Sequence, residues 1–332
     1  MNIVAPGIYT SLQLFVIIGI GFFVKKMNIV KDGFQQAVSG FIVKVALPVY
    51  FFAKFSSTDL GIFRKGLWLP VAGLFIIGTG LLIGWILYTV LPFSGPEKRA
   101  GIALAGFGNS GYMPLTILEL LPISIPFMAV EYNSSMSSLF VGAYLIVFSP
   151  LLWSVGNFLV AKHGTGFSPS HLLSAPTVGI LLGLIFPVFG IDFIITDPEL
   201  PFYYVHAALE RLGTVIFPMI LINLGVMIGS IQFHHTKASR LGLMAAGVIV
   251  VRFLCIPALF FAGYFLFLKN MNVHPAILLT LFLETHTPPA TNLSAMAVEG
   301  GVNEDLTAFT LLVTYVGYII ILPVYLILFL NL

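Results

Sequence analysis

Ten stretches of this 332-residue chain are each apolar over a length that fits a bilayer crossing, and that pattern limits the fold more than any other feature. A helical crossing needs about 20 largely apolar residues. The candidates are roughly 6–26, 33–55, 66–92, 98–121, 134–161, 172–190, 202–230, 238–268, 274–298 and 304–330. They are long and continuous, without the period-two alternation of a membrane barrel, so the expectation is an all-α polytopic membrane protein. Charged residues make up only 8% of the chain and hydrophobic residues 58%. A soluble chain carries about 25% charge, so a bilayer and not a single aqueous core must take up this surface. At the N-terminus the apolar run precedes Lys25 and Lys26. That is the reverse of a cleaved signal, so it reads as the first crossing. The lone Cys255 cannot form an internal disulfide, no Cys/His cluster offers a structural metal site, and the net charge of +2 is scattered rather than gathered for nucleic acid.

An even number of crossings puts both termini on one side. The loops after the odd-numbered crossings carry Lys25, Lys26, Lys31, Lys98, Arg99, Lys162, Lys237 and Arg240; the opposite side has Lys54, Arg64, Lys65, Arg211 and Lys269. Basic residues favour the cytoplasm, so both termini are predicted outside it. The chain also matches itself. Pro6 and Pro176, and Pro48 and Pro218, are each 170 residues apart; Pro114 and Pro289 are 175 apart, and Pro150 and Pro323 are 173 apart. Met128-Ala129-Val130-Glu131 recurs as Met296-Ala297-Val298-Glu299, at a distance of 168. This divides the chain into 1–163 and 171–332, with five crossings each. Five is odd, so the second half enters from the opposite side: an inverted repeat, as in secondary transporters.

Crossings 4 and 9 are each broken near the middle. Gly106-Phe107-Gly108-Asn109-Ser110-Gly111-Tyr112-Met113-Pro114 concentrates glycine and proline in the first, and Glu284-Thr285-His286-Thr287-Pro288-Pro289-Ala290-Thr291-Asn292 does so with polar residues in the second. Non-helical backbone at this depth must line a cavity or be buried in protein. The N-terminal ends of half-helices favour anions such as carboxylates. Matched breaks therefore point to a transporter's binding site, with Asn109, Ser110, Thr285, Thr287 and Asn292 as polar contacts; the alternative is a pair of structural proline kinks.

Lys44, Arg252 and Glu284 fall at central positions of crossings 2, 8 and 9. A central charge costs about 2.5–3.5 kcal/mol on insertion scales, so each needs a partner, a substrate or water. Glu284 and His286 are candidates for proton coupling; alternatively, Glu284 is a fixed partner of Lys44 or Arg252. Lys44 either contacts substrate or snorkels, and Arg252 is open to the same choice of substrate or support. Asn223 reads as a helix-to-helix hydrogen bond, and Glu119 as a solvated residue near the interface. His234 and His235 suggest no metal site. Nothing in the chain resembles a metalloprotease helix, a serine elbow or a phosphate loop, which argues against an enzyme.

The five-plus-five arrangement, the Gly-Asn break running to Pro114, the Pro288-Pro289 break, Leu47-Pro48, Arg252 followed by Pro257, and Ala297-Val298-Glu299-Gly300 leading to Leu322-Pro323 resemble the auxin efflux carrier family. The resemblance covers essentially the whole chain. It implies the fold of bile-acid symporters and sodium/proton antiporters, with broken helices 4 and 9 crossing at their prolines. Crossings 1, 2, 6 and 7 would form a scaffold and the interface of a homodimer; crossings 3–5 and 8–10 would form a moving transport domain. Elevator-type transport of a small organic anion would follow, with Asn109, Gly111 and Pro114 in the first crossing element and Pro288, Pro289 and Asn292 in the second; Tyr112 is a further substrate-binding candidate. No cofactor is expected beyond a coupled proton or sodium ion. The short linker favours a compact prokaryotic-type carrier over a regulated plant exporter, and the expected location is the cell (inner) membrane. A sodium-coupled symporter of a bulky amphipathic anion is the alternative.

Overall fold

The computed structural model describes residues 4–31, 33–160, 174–231, 237–299 and 304–332. The linker between the two expected halves, together with Lys162, His234 and His235, lies outside the described residues. The helices are α1 (Val4–Lys26), α2 (Phe34–Ser56), α3 (Leu69–Val90), α4 (Gly95–Gly106), α5 (Tyr112–Ser124), α6 (Ser134–Val160), α7 (Ala175–Phe189), α8 (Pro201–Ser230), α9 (Ala238–Asn270), α10 (Pro275–Thr285), α11 (Asn292–Glu299) and α12 (Glu304–Leu330). No strand is present among the described residues beyond one isolated bridge, described below. Among the described residues, seven helices are long and apolar enough to cross a membrane. Of the remaining three expected crossings, one is the 15-residue α7, and the other two are interrupted as α4/α5 and α10/α11.

Small residues set which helices lie closest. A Cβ on Gly21 of α1 would strike the backbone of Ile222 in α8, and one on Gly225 would strike the backbone of Ile18. Gly179 and Gly183 of α7 sit likewise against Pro48 and Phe52 of α2. Lipid gives helices no hydrophobic reason to associate, so backbone-close packing at glycine does much of that work. Thus α1 pairs with α8 and α2 with α7, while α3 packs on α4 and α6, and α9 on α12. The outward faces of α1, α3 and α7 remain apolar, with Phe15, Phe75 and Leu182 exposed.

Two crossings contain a widened π turn just before a proline: Ile42–Ala46 in α2 and Val251–Cys255 in α9. Pro48 and Pro257 have no N–H for the carbonyl four residues back, and their rings crowd it. The preceding residues reach back five instead, Leu47 N–H to Ile42 O and Ile256 N–H to Val251 O. The turn in α9 carries Arg252. A third π turn, Leu152–Gly156 in α6, follows Pro150 rather than preceding a proline.

Candidate functional site

Helix α4 ends at Gly106 and α5 begins at Tyr112; α10 ends at Thr285 and α11 begins at Asn292. The two gaps meet. Gly108 and Pro289 form an antiparallel bridge: Asn109 N–H donates to Pro288 O at 2.7 Å, and Ala290 N–H donates to Phe107 O at 3.0 Å. Buried backbone groups need partners, and here each break supplies them to the other. The first break therefore centres on Gly108, and Pro114 lies inside the first turn of α5, where its missing N–H costs little.

Two further side chains complete the pairing. Arg252 is buried and donates from Nε (3.0 Å) and Nη2 (2.8 Å) to Thr287 O, and from Nη2 to Thr287 Oγ1 at 2.7 Å. Tyr315 of α12 donates to Pro289 O at 3.0 Å and accepts a short hydrogen bond from Asn109 Nδ2. Gly108 makes this geometry available, because a Cβ there would collide with Arg252 Nη2 and Thr287 Oγ1. Gly111, at φ +94°, turns the chain into α5 through a conformation that other residues rarely adopt.

A cavity of about 320 Å³ lies against one side of this crossing. Asn109, Tyr112, Thr291 and Asn292 face it from the breaks, and Gln35, Gln36, Ser39 and Asn223 from α2 and α8. The first residues of α5 and α11 both line it, which directs the positive ends of two half-helices at the space. None of the residues lining it is charged. Asn223 donates to Ser39 Oγ at 2.8 Å, the expected helix-to-helix bond, while its Oδ1 is buried without a partner. A smaller pocket, about 40 Å³, is lined by Asn109, Ser110, Gly111, Tyr112, Asn292 and apolar residues of α2 and α6.

The structure separates the sequence candidates into two groups. Asn109, Ser110, Gly111, Tyr112 and Asn292 line one or both cavities; Pro114, Glu284, Thr285, His286, Thr287, Pro288 and Pro289 line neither. Thr285 Oγ1 is occupied by Leu281 O at 2.7 Å. His286 donates from Nδ1 to Phe282 O at 2.7 Å and is packed among Phe260, Phe261, Phe282 and Tyr325. The alternative pairing of Glu284 with Lys44 or Arg252 is not formed: Arg252 is committed to Thr287, and Lys44 is exposed on the surface of α2, in no ion pair among the described residues. Glu119 is exposed, as expected of a solvated carboxylate. Tyr315, Gln35, Gln36 and Ser39 were not among the sequence candidates. Tyr315 and Tyr318 do stand three residues apart on one face of α12, a polar signal at helical spacing.

Comparison with known proteins decides the family. The profile of the family described as membrane transport protein matches residues 6–172 and 167–326. This chain belongs to that family, the auxin efflux carriers. An uncharacterized transporter of the archaeon Methanothermobacter thermautotrophicus is 22% identical over 322 residues, which is 95% of this chain and 96% of the relative. PIN-LIKES 5 of Arabidopsis thaliana is 30% identical over 166 residues, 49% of this chain and 41% of that protein. An uncharacterized transporter of Saccharomyces cerevisiae is 26% identical over 151 residues, 44% of this chain and 23% of the yeast protein. Thus the chain matches less than half the length of the yeast and plant relatives. The chain is an integral, multi-pass member of a membrane transport family, and two of its relatives are described as uncharacterized transporters.

Proposed function

We propose that this auxin efflux carrier family member moves a small organic anion, best fitted by a monocarboxylate, across the membrane by alternating access. The observation that carries this reading is the meeting of two interrupted helices at the wall of a polar cavity of about 320 Å³. Small-ligand sites have volumes of about 300–1,000 Å³ and a few convergent polar groups. The amides of Asn109 and Asn292 and two half-helix N-termini offer donors to one carboxylate. A wall without lysine or arginine suits a single charge better than two, because each desolvated charge needs its own compensation.

In this reading the chain crosses the membrane ten times as two inverted five-helix repeats. Helices α1, α2, α7 and α8 form the scaffold and the homodimer interface, and the crossing moves against them in an elevator-type step. Gln35, Gln36, Ser230 and Ile231 line the cavity at the ends of α2 and α8. With both termini outside the cytoplasm, that end faces inward. Transport is secondary active or facilitated, in the cell (inner) membrane. A bulky amphipathic anion is disfavoured by the cavity volume.

Uptake of labelled mono- and dicarboxylic acids into proteoliposomes, with sodium replaced by choline, tests the reading. Saturable uptake of one or more monocarboxylates without a sodium requirement is expected. Uptake confined to dicarboxylates, or absolutely dependent on sodium, would overturn it.

A further inference from the structure

Glu284, at the end of α10, lines neither cavity. It is buried, and neither carboxylate oxygen has a hydrogen-bond partner. The groups that act on it come from every element around it: the Ser110 hydroxyl from the first break, Arg252 from α9, Tyr144 from α6 and Tyr318 from α12. Tyr318 is buried with its hydroxyl also unpartnered. His286, on the same strand of chain, is turned into its aromatic cage. A buried carboxylate without a hydrogen bond is costly when ionised, and a proton removes most of that cost.

We propose that the buried Glu284 is a proton site, whose carboxylate takes up a proton from the aqueous phase to become the carboxylic acid and gives it back to return to the carboxylate. Ser110 provides the connection, since it lines the small pocket and also acts on Glu284. The charge of the site is legible to both breaks. Ser110 belongs to the first, and Arg252 holds the second through Thr287. With Glu284 neutral, the guanidinium stays on the Thr287 carbonyl. With Glu284 ionised, the carboxylate competes for it, and the backbone of the second break loses its clamp. Proton binding would thereby bias the crossing, which is the part that the transport reading above sets in motion.

The test needs no substrate, so its failure is separable from failure of the transport reading. Infrared spectra of the full chain in liposomes are recorded against pH, for wild type, Glu284→Gln and Glu284→Asp. Expected is a protonated-carboxyl C=O band that is lost as pH rises, is absent in Glu284→Gln and is shifted in Glu284→Asp. Ser110→Ala is expected to slow deuterium exchange of that band. If no band depends on Glu284, the site is not a proton site. A band that sodium removes at constant pH would make it a cation site instead and would equally overturn the proposal. Monodispersity of each variant on size exclusion shows that it is folded.

Discussion

Arg252 reaches from the π turn of α9 to the carbonyl of Thr287, with donors at 3.0 and 2.8 Å, and so supplies a partner to backbone that no helix can serve. Replacing it leaves that buried acceptor unpaired, which costs about 1–3 kcal/mol. Arg252→Met is therefore expected to lower the melting temperature in detergent. Arg252→Lys should recover only part of the loss, because an ammonium cannot reproduce the planar fork. Gly108→Ala attacks the same contact from the other side. The double variant should be less destabilised than the sum of the two single changes; simple additivity would mean that Gly108 and Arg252 act independently.

The hydroxyl of Tyr315 serves both breaks at once, through Asn109 Nδ2 and Pro289 O. Tyr315→Phe removes that hydroxyl and leaves its shape. A stability loss of about 1–3 kcal/mol is expected from two stranded buried groups, together with weaker transport because Asn109 is no longer oriented. Thermal melts and initial uptake rates on the same preparation check both. Unchanged uptake would separate the orientation of Asn109 from function.

Asn223 gives a contrasting case. Its bond to Ser39 joins α8 to α2, and such a bond inside a membrane averages about 0.6 kcal/mol. Asn223→Leu should therefore hardly change the melting temperature, yet it places an apolar branch in the polar wall of the cavity. Uptake is expected to fall about tenfold, the equivalent of 1.4 kcal/mol. A large loss of stability with uptake retained would assign Asn223 to packing alone.

The α1–α8 contact is tested by size. Gly225→Leu pushes a side chain into the backbone of α1 near Ile18, and overpacking of this kind costs about 1–3 kcal/mol. Gly242, with open space around its Cα, is the control: Gly242→Leu should have little effect. Melting curves of the two variants compare them directly.

The breaks were legible in the sequence because glycine and proline declare where a helix cannot continue, whatever surrounds it. Which way each side chain faces was not. Glu284, Thr285 and Thr287 share a segment with Asn292, yet of these four only Asn292 reaches the cavities, since the bridge at Pro289 turns the chain between them. Arg252 read as a charge in need of a partner, and its partner is a neutral carbonyl that exists only because α10 ends early. Gln35 and Gln36 carried no signal of their own; only packing of α2 against the crossing makes them part of a wall. The π turns were hidden as well, because Pro48 and Pro257 announce a disturbed helix without saying whether it kinks or widens.

The most direct measurement compares uptake of labelled monocarboxylates by wild type and Asn292→Ala, both monodisperse and reconstituted at equal density. Asn292 lines both cavities at the start of α11. Saturable wild-type uptake that falls about tenfold or more in the variant, corresponding to loss of a hydrogen bond to a charged group, is the expected result. A folded wild type that carries none of the acids, or an Asn292→Ala protein that carries them as well as wild type does, would contradict the placement of the substrate at the crossing.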